Sequence, residues 1–447
     1  MAVLKSNNLV GKDFTQFEEL VKQEKITYGN VRLIPQLKTK EELALTSIFL
    51  SSLRLVKEFQ DKVFKEIKVS RAGKAYFFKE MCFKDIDKES RIDGVIITVV
   101  SKKIKEIIFL EVKNGTNKIE KTQIEKYIDV AKKIGSKTLF TISNKFVEKA
   151  TDFPIVIDGN KKRNFNLFHF SWTYLETLAQ LLLFENDDNI KDEDQIEIMK
   201  EVLRFLTDPK SGTNGYSQMN DGWRDLHKSI KANVSGEIEK NLASTLLSWN
   251  EEEKDMALLL SRNLGVLVKT KSSKNTEKSL AKTKIVTSAL EIKDAVSDVD
   301  ILCDFTRETV KMEVNVRPPS DNKNIANITW IKDQIELCSK RNSNLFSSFE
   351  DEIWIDSDIK FYKDSIRTQF TNIESLYENE MVKQKKEIMG FKVILIRDFK
   401  HNFGSKKMFV ENIEKMLLNY YEGIVQHLKN APKKAPKIKQ EPVSSQQ

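Results

Sequence analysis

The segment Arg91–Lys113, with the sequence RIDGVIITVVSKKIKEIIFLEVK, decides the fold of the N-terminal part of the chain. Its two apolar runs, Gly94–Val100 and Ile107–Val112, are rich in β-branched side chains and are separated by the charged segment Ser101–Lys105. Such runs with a polar segment between them are typical of two β-strands joined by a turn. We therefore predict an antiparallel hairpin.

The predicted hairpin groups three charged side chains. If the turn centres near Lys103, Asp93 lies opposite roughly Lys113 on the neighbouring strand. Because side chains alternate along a strand, Glu111 and Lys113 share one face of the sheet. The two carboxylates and the ammonium group are thus expected at one end of adjacent strands.

Two neighbouring carboxylates indicate a metal site. They repel each other and are costly to remove from water, so a fold keeps them together mainly where a divalent cation neutralises the pair. We predict Asp93 and Glu111 as ligands of Mg²⁺ (or Mn²⁺), which suits oxygen ligands. Such an ion polarises a phosphate and lowers the pKa of bound water, while Lys113 would stabilise the developing charge. This chemistry hydrolyses phosphodiester bonds.

The segments around the hairpin predict an α/β domain. Apolar residues recur at helical spacing from an N-cap at Thr39 to about Phe64. A strand-like run, Ala75–Met81, precedes the hairpin, and a helical pattern, Ile124–Ile134, and a strand, Lys137–Ser143, follow it. The order is helix, three strands, helix, strand, or αβββαβ. Two more strands, at 154–158 and 165–172, and a helix at 173–184 complete the predicted domain.

The second predicted helix carries Gln123 and Tyr127, four residues apart and on one helical face. With the elements and charged residues above, the chain resembles the PD-(D/E)xK superfamily of restriction-endonuclease-like nucleases, in its RecB-like branch with a Q-x-x-x-Y motif. The resemblance implies a mixed sheet, and it implies that Gln123 and Tyr127 lie beside the metal and position the DNA backbone. The alternative is a surface glutamine and a half-buried structural tyrosine. Ile92 stands where the family name has proline.

The resemblance also implies a further acid from the first helix. Glu42 is the candidate metal ligand and Glu41 the alternative, although either carboxylate could instead cap the helix. The acidic-x-Lys tripeptide by itself carries little weight, since Glu66–Lys68, Glu291–Lys293 and Asp358–Lys360 repeat it elsewhere.

Length and composition predict several domains. We divide the 447 residues into a nuclease-like domain at 1–184, a helical segment at 190–268, an α+β domain at 269–429 and a disordered basic tail at 430–447. The net charge of +8 favours a polyanionic partner, although a solvated basic surface explains it equally well. Three widely separated cysteines and the lack of a long apolar stretch predict free thiols and a cytoplasmic protein without a membrane partner.

The C-terminal half faintly repeats the first pattern. Asp298 and Asp300 lie on one predicted strand, and Glu313 and Asn315 lie on the next, with a helix following. A degenerate nuclease-like repeat and a plain structural hairpin both remain open. We interpret Lys269–Lys284 as an exposed loop, with phosphate contact as the less common alternative.

The sequence therefore predicts a Mg²⁺-dependent nuclease that acts on DNA in preference to RNA. Fold-level analogy adds restriction or anti-phage defence as a setting. The chain contains no G-x-x-x-x-G-K-[ST] phosphate loop, so any motor would be another protein. The rival hypothesis is a non-catalytic nucleic-acid-binding or scaffold protein that retains the nuclease fold. A protein partner or a homo-oligomer stays open.

Overall fold

The structure, a computed structural model, describes residues 5–31, 33, 41–115, 117–147, 150–184, 190–213, 215–271, 275–319 and 323–432. The chain forms two compact units, Met1–Ser272 with Gly404–Glu411 and Ser273–Phe403 with Asn412–Gln447. The predicted boundary near Phe184 therefore falls inside the first unit. The helical segment after it packs back on the same unit; for example, Arg262 pairs with Glu176 at 3.5 Å.

The first unit alternates helices with strands. Its described helices are α1 Phe14–Lys22, α2 Glu42–Leu55, α3 Lys57–Glu66, α4 Lys121–Ile134, α5 Gly159–Lys162, α6 Trp172–Phe184, α7 Glu193–Thr207, α8 Asp221–Lys231 and α9 Ser235–Leu264. Its described strands are β1 Ile26–Asn30, β2 Lys74–Phe83, β3 Ile92–Val100, β4 Lys103–Val112, β5 Thr138–Ser143, β6 Asn166–Ser171 and β7 Lys269–Thr270.

A six-stranded mixed sheet, in the order β1-β2-β3-β4-β5-β6, forms the centre of the first unit. Strands β1 to β4 pair antiparallel, whereas β4, β5 and β6 run parallel. Alternation along β4 sends Ile108 and Leu110 into the apolar layer of α2, α3, α6 and α7, and Ile107 and Phe109 into the layer of α1 and α4. The structure is of the predicted α/β class, and from α2 to β5 its helices and strands follow the predicted order.

The first predicted helix is divided into α2 and α3. Val56, between them, is fully buried with an extended backbone at φ −115° and ψ 101°. The break frees the N–H group of Lys57, which donates to the Oε1 atom of Gln195 in α7 at 2.9 Å. Helical periodicity could not reveal this partner 138 residues away. The predicted N-cap, Thr39, lies outside the described residues.

Other local predictions differ from the structure. Residues 154–158 form no strand, and α1 and β1 were not predicted. The predicted loop Lys269–Lys284 contains a helix, Glu277–Thr283, which a capping box between Thr276 and Ser279 begins. A polar, Lys-rich run has no apolar stripe, so this local cap is its main helical signal. Of the predicted tail, residues 433–447 lie outside the described part.

The second unit is built on an antiparallel sheet. Its described helices are α10 Glu277–Thr283, α11 Asn324–Arg341, α12 Ser343–Ser347, α13 Ser375–Glu378 and α14 Glu380–Lys383, and α15 Lys406–Gly423 begins in the first unit and ends in the second. Its strands are β8 Ile285–Glu291, β9 Val299–Asp304, β10 Thr309–Val316, β11 Ile353–Ile359, β12 Ile366–Gln369 and β13 Ile388–Asp398, in the sheet order β12-β11-β13-β10-β9-β8.

The second sheet does not repeat the first. Glu313 lies opposite Asp300, but β10 pairs on its other side with the antiparallel strand β13, where β4 pairs with the parallel strand β5. The Glu313 carboxylate contacts the ammonium groups of Lys311 at 2.6 Å and Lys392 at 3.1 Å. These contacts favour the interpretation of a structural hairpin with a satisfied carboxylate.

Two further features bear on the expectations of free thiols and of a protein without a membrane partner. Cys82, Cys303 and Cys338 are buried free thiols. Within the described ranges, every helix is too short or too polar to cross a lipid bilayer.

Candidate functional site

The hairpin β3–β4 sets the positions of the acidic residues. Its two-residue turn is Ser101–Lys102, with φ of 49° and 65°, as tight hairpins require. The register pairs Gly94 with Leu110, so one further position places Asp93 beside Glu111. The expectation that Asp93 faces Lys113 is wrong, because the turn is centred before Lys103 and the register shifts once at Thr98/Val99.

Asp93 and Glu111 form an interacting pair of carboxyl groups. The side chain of Glu111 is 0% exposed, and burial followed by the charge of Asp93 raises its pKa to about 8. Burial also raises the pKa of Asp93, which accepts a hydrogen bond from the backbone N–H of Val112 at 3.0 Å. The carboxyl groups of Asp93 and Glu111 lie within side-chain hydrogen-bond reach of each other. The pair is therefore poised to accept a proton or a cation.

Lys113 is the cation that the chain itself supplies. Its Nζ atom lies 2.7 Å from Oε1 of Glu111 and 3.3 Å from Oε2 of Glu42. Burial lowers the pKa of Lys113, but the nearby carboxylates, Glu111 first, outweigh it and the pKa rises. The backbone at Lys113 is held on both sides, since its N–H donates to Ile142 O at 2.8 Å and its carbonyl accepts from the indole of Trp172 at 2.9 Å.

Glu42, at the first turn of α2, reaches the same site from the opposite layer. Its Oε2 faces Lys113, and its Oε1 accepts a hydrogen bond from Nδ2 of Asn117 at 2.8 Å. Glu41 is exposed at the N-cap of the helix. Of the two acids considered from sequence, Glu42 is the one beside Lys113. Asn117 was not predicted, because a polar residue in an irregular loop carries no periodic signal.

Gln123 and Tyr127 lie on the carboxylate side of the sheet. The Tyr127 hydroxyl donates to the carbonyl of Arg91 at 2.6 Å, and Nε2 of Gln123 donates to that hydroxyl at 3.2 Å. Tyr127 is only 4% exposed, and burial, followed by the charges of Glu111 and Asp93, raises its pKa. Tyr127 is therefore buried and contacts Arg91, which directly precedes the strand that carries Asp93. Gln123 is half-buried.

The loop after β4 is fixed by the segment after α7. The carbonyl of Gly212 accepts hydrogen bonds from the N–H of Gly115 at 3.2 Å and from Nδ2 of Asn144 at 3.1 Å. Gly212 has φ of +83°, and an added Cβ would lie 2.9 Å from the side chain of Asn114. The helical segment thus positions the loop that carries Asn117.

The acidic side chains of the site match an ion that needs few protein ligands. Within the ranges described, no group of three or more His, Cys, Asp and Glu side chains is arranged to hold one. Mg²⁺ commonly uses only one or two carboxylates together with water and substrate phosphate. Asp93 and Glu111, two adjacent carboxyl groups, fit that smaller requirement.

Comparison of the chain with protein families, with curated proteins and with solved structures found no match.

Proposed function

We propose that this chain is a metal-dependent nuclease that hydrolyses phosphodiester bonds, with DNA preferred over RNA. The proposal depends on one observation: a fully buried glutamate, Glu111, lies beside a second carboxyl group and 2.7 Å from a lysine. A buried acidic pair is costly to keep. A reaction at this end of the sheet explains why the fold contains this acidic pair despite its cost.

In this proposal Asp93 and Glu111 hold Mg²⁺ or Mn²⁺, which supplies Lewis acidity and an activated water when bound. Lys113 stabilises the negative charge that grows on the phosphate oxygens, and Glu42 keeps the Lys113 ammonium in place through their 3.3 Å contact. Tyr127 and Gln123 hold the start of β3 through the carbonyl of Arg91. Tyr127 is thereby a positioning residue.

Cleavage assays on the purified full chain test the proposal. Supercoiled plasmid, linear duplex, single-stranded DNA and RNA are incubated with Mg²⁺, Mn²⁺ or EDTA, beside Glu111→Gln as the inactive control. We expect metal-dependent cleavage of DNA that EDTA and Glu111→Gln abolish. If every substrate stays intact with the wild-type chain, or if Glu111→Gln cleaves equally well, the proposal is wrong.

A non-catalytic nucleic-acid-binding protein is the second candidate. The contacts of Lys113 with both Glu111 and Glu42 favour it, because an internal cation already offsets part of the acidic charge. Thermal melts discriminate the two candidates. A nuclease site gains stability with Mn²⁺ and loses that gain in Glu111→Gln, whereas the rival predicts equal melts with and without metal.

A further inference from the structure

An exposed group of aromatic, apolar and basic side chains lies at the turn after β11 and at the start of β13 in the second unit. Phe361 is 95% exposed, Tyr362 is 44% exposed and Met389 is 51% exposed. The Nζ atom of Lys360 lies 5.6 Å from the ring centroid of Phe361, and that of Lys386 lies 5.8 Å from the ring centroid of Tyr362. We call these five residues the aromatic–lysine tip.

The backbone at Phe361 is strained. Its φ of +66° is in the left-handed region, which bulky side chains rarely adopt. A glycine or an asparagine would make the same turn with little or no strain. The turn is also anchored: Lys360 N donates to Glu387 O at 2.9 Å, and Asn324 Nδ2 donates to Lys386 O at 2.6 Å. Turn formation alone thus does not explain an exposed phenylalanine at this position.

The charge around the tip complements a polyanion. Segments 360–364 and 385–387 contain four lysines and two acidic residues, and one of these acids, Glu387, pairs with Lys360 at 2.5 Å. Lysine is depleted from the centres of protein–protein interfaces, where aromatic residues are enriched. Aromatic faces next to lysines instead match a nucleic-acid strand, whose bases stack and whose phosphates are anionic. The composition of the tip therefore favours nucleic acid over a protein partner.

We propose that the aromatic–lysine tip binds unpaired bases of a nucleic acid. Phe361 and Tyr362 stack on bases, and Lys386 with the neighbouring Lys363 and Lys385 contacts the adjacent phosphates. This inference rests on the proposed nuclease function and extends it, because it assigns substrate engagement to the second unit and a single-stranded or locally unpaired segment to the substrate.

Fluorescence anisotropy of the full chain tests the proposal. A labelled 20-nucleotide single strand of mixed sequence and the duplex of the same sequence are titrated in EDTA, which prevents cleavage. We expect Phe361→Ala with Tyr362→Ala to weaken single-strand binding roughly tenfold or more and duplex binding much less. Phe361→Trp should retain the affinity for the single strand. Leu337→Ala, which removes a side chain that is 43% exposed in the C-terminal half of α11, is the matched control and should bind like the wild type.

The outcomes separate this inference from the nuclease proposal. If the wild type binds and cleaves while the double variant binds the single strand unchanged, the tip is not a base-binding site, and a protein partner becomes the better occupant. If the double variant binds weakly but no metal supports wild-type cleavage, base binding stands and the nuclease proposal fails. If the wild type binds neither probe, the inference is overturned as well.

Discussion

Lys113 carries the sharpest prediction at the scale of single residues. Lys113→Met should reduce cleavage at least about 100-fold, because it removes the charge that stabilises the reacting phosphate. It should also lower the free energy of unfolding by roughly 1–3 kcal/mol, because Glu111 then stays buried without its cation. Cleavage rates and urea melts measure both effects. Wild-type cleavage by Lys113→Met would place the reactive centre elsewhere.

Asp93 has a structural role beside its proposed metal role. Asp93→Asn keeps an oxygen for the N–H of Val112 and removes the charge that raises the pKa of Glu111, so the metal-free protein should be at least as stable as the wild type. Asp93→Ala leaves that N–H without its acceptor and should unfold more easily by about 1 kcal/mol or more. Both variants should lose Mn²⁺ affinity in titration calorimetry. Equal stability of the two variants would show that the hydrogen bond contributes little.

At the scale of elements, the segment after α7 should control the site through one glycine. Gly212→Ala strains the backbone at a φ of +83° and places a Cβ 2.9 Å from Nδ2 of Asn114, so the Gly212 carbonyl that holds the loop carrying Asn117 should shift. We expect cleavage to fall several-fold while the protein stays folded. Gly236→Ala, near the start of α9 with open space around it, is the control and should cleave normally. Normal cleavage by Gly212→Ala would exclude this positioning role.

Helix α9 should give the first unit a dependence on pH. Burial, with a smaller contribution from Glu176, raises the pKa of Asp255 to about 6, while Arg262 and the hydrogen bond from the backbone N–H of Tyr216 oppose the rise. Because the folded pKa exceeds the unfolded value, Asp255 favours folding most below about pH 4, and this contribution is lost as the pH rises through about 6.

Asp255→Asn keeps an acceptor for the backbone N–H of Tyr216 and cannot ionise. It should therefore become more stable relative to the wild type as the pH rises from 4 to about 6. Urea melts at several pH values measure this difference. A difference in unfolding free energy that is constant across this range would contradict the expectation.

At the scale of the whole molecule, residues 1–184 should not fold as an independent domain. Met199, Val202 and Leu206 of α7 are buried in the same apolar layer as α2 and α6. Losing each such contact costs about 1.5–3 kcal/mol, which together rivals the stability of a small domain. We expect fragment 1–184 to lack the cooperative thermal transition of the full chain in circular dichroism. A sharp transition in that fragment would restore the boundary near Phe184.

The sequence alone determined the features that depend on local pattern. Alternating and helical spacing located β2 to β5 and α4, and charges at strand ends singled out Asp93, Glu111 and Lys113. The predicted elements are confirmed, and they could be predicted because side-chain direction follows from the backbone period within one element. The sequence left Glu42 and Glu41 as alternative acidic residues of the site, because local patterns do not predict where the N-terminus of a helix lies relative to the sheet.

The tertiary structure decided everything that depends on distant partners. It placed Asp93 beside Glu111 through a turn and a register shift, divided the first helix at Val56, and buried Tyr127 against Arg91. It also joined Asn117 to Glu42, and the loop at Gly212 to the loop after β4. Each of these features depends on contacts between residues that are far apart in the chain. Such contacts form only when the packed layers fit together, and the periodicity of the sequence does not encode that fit.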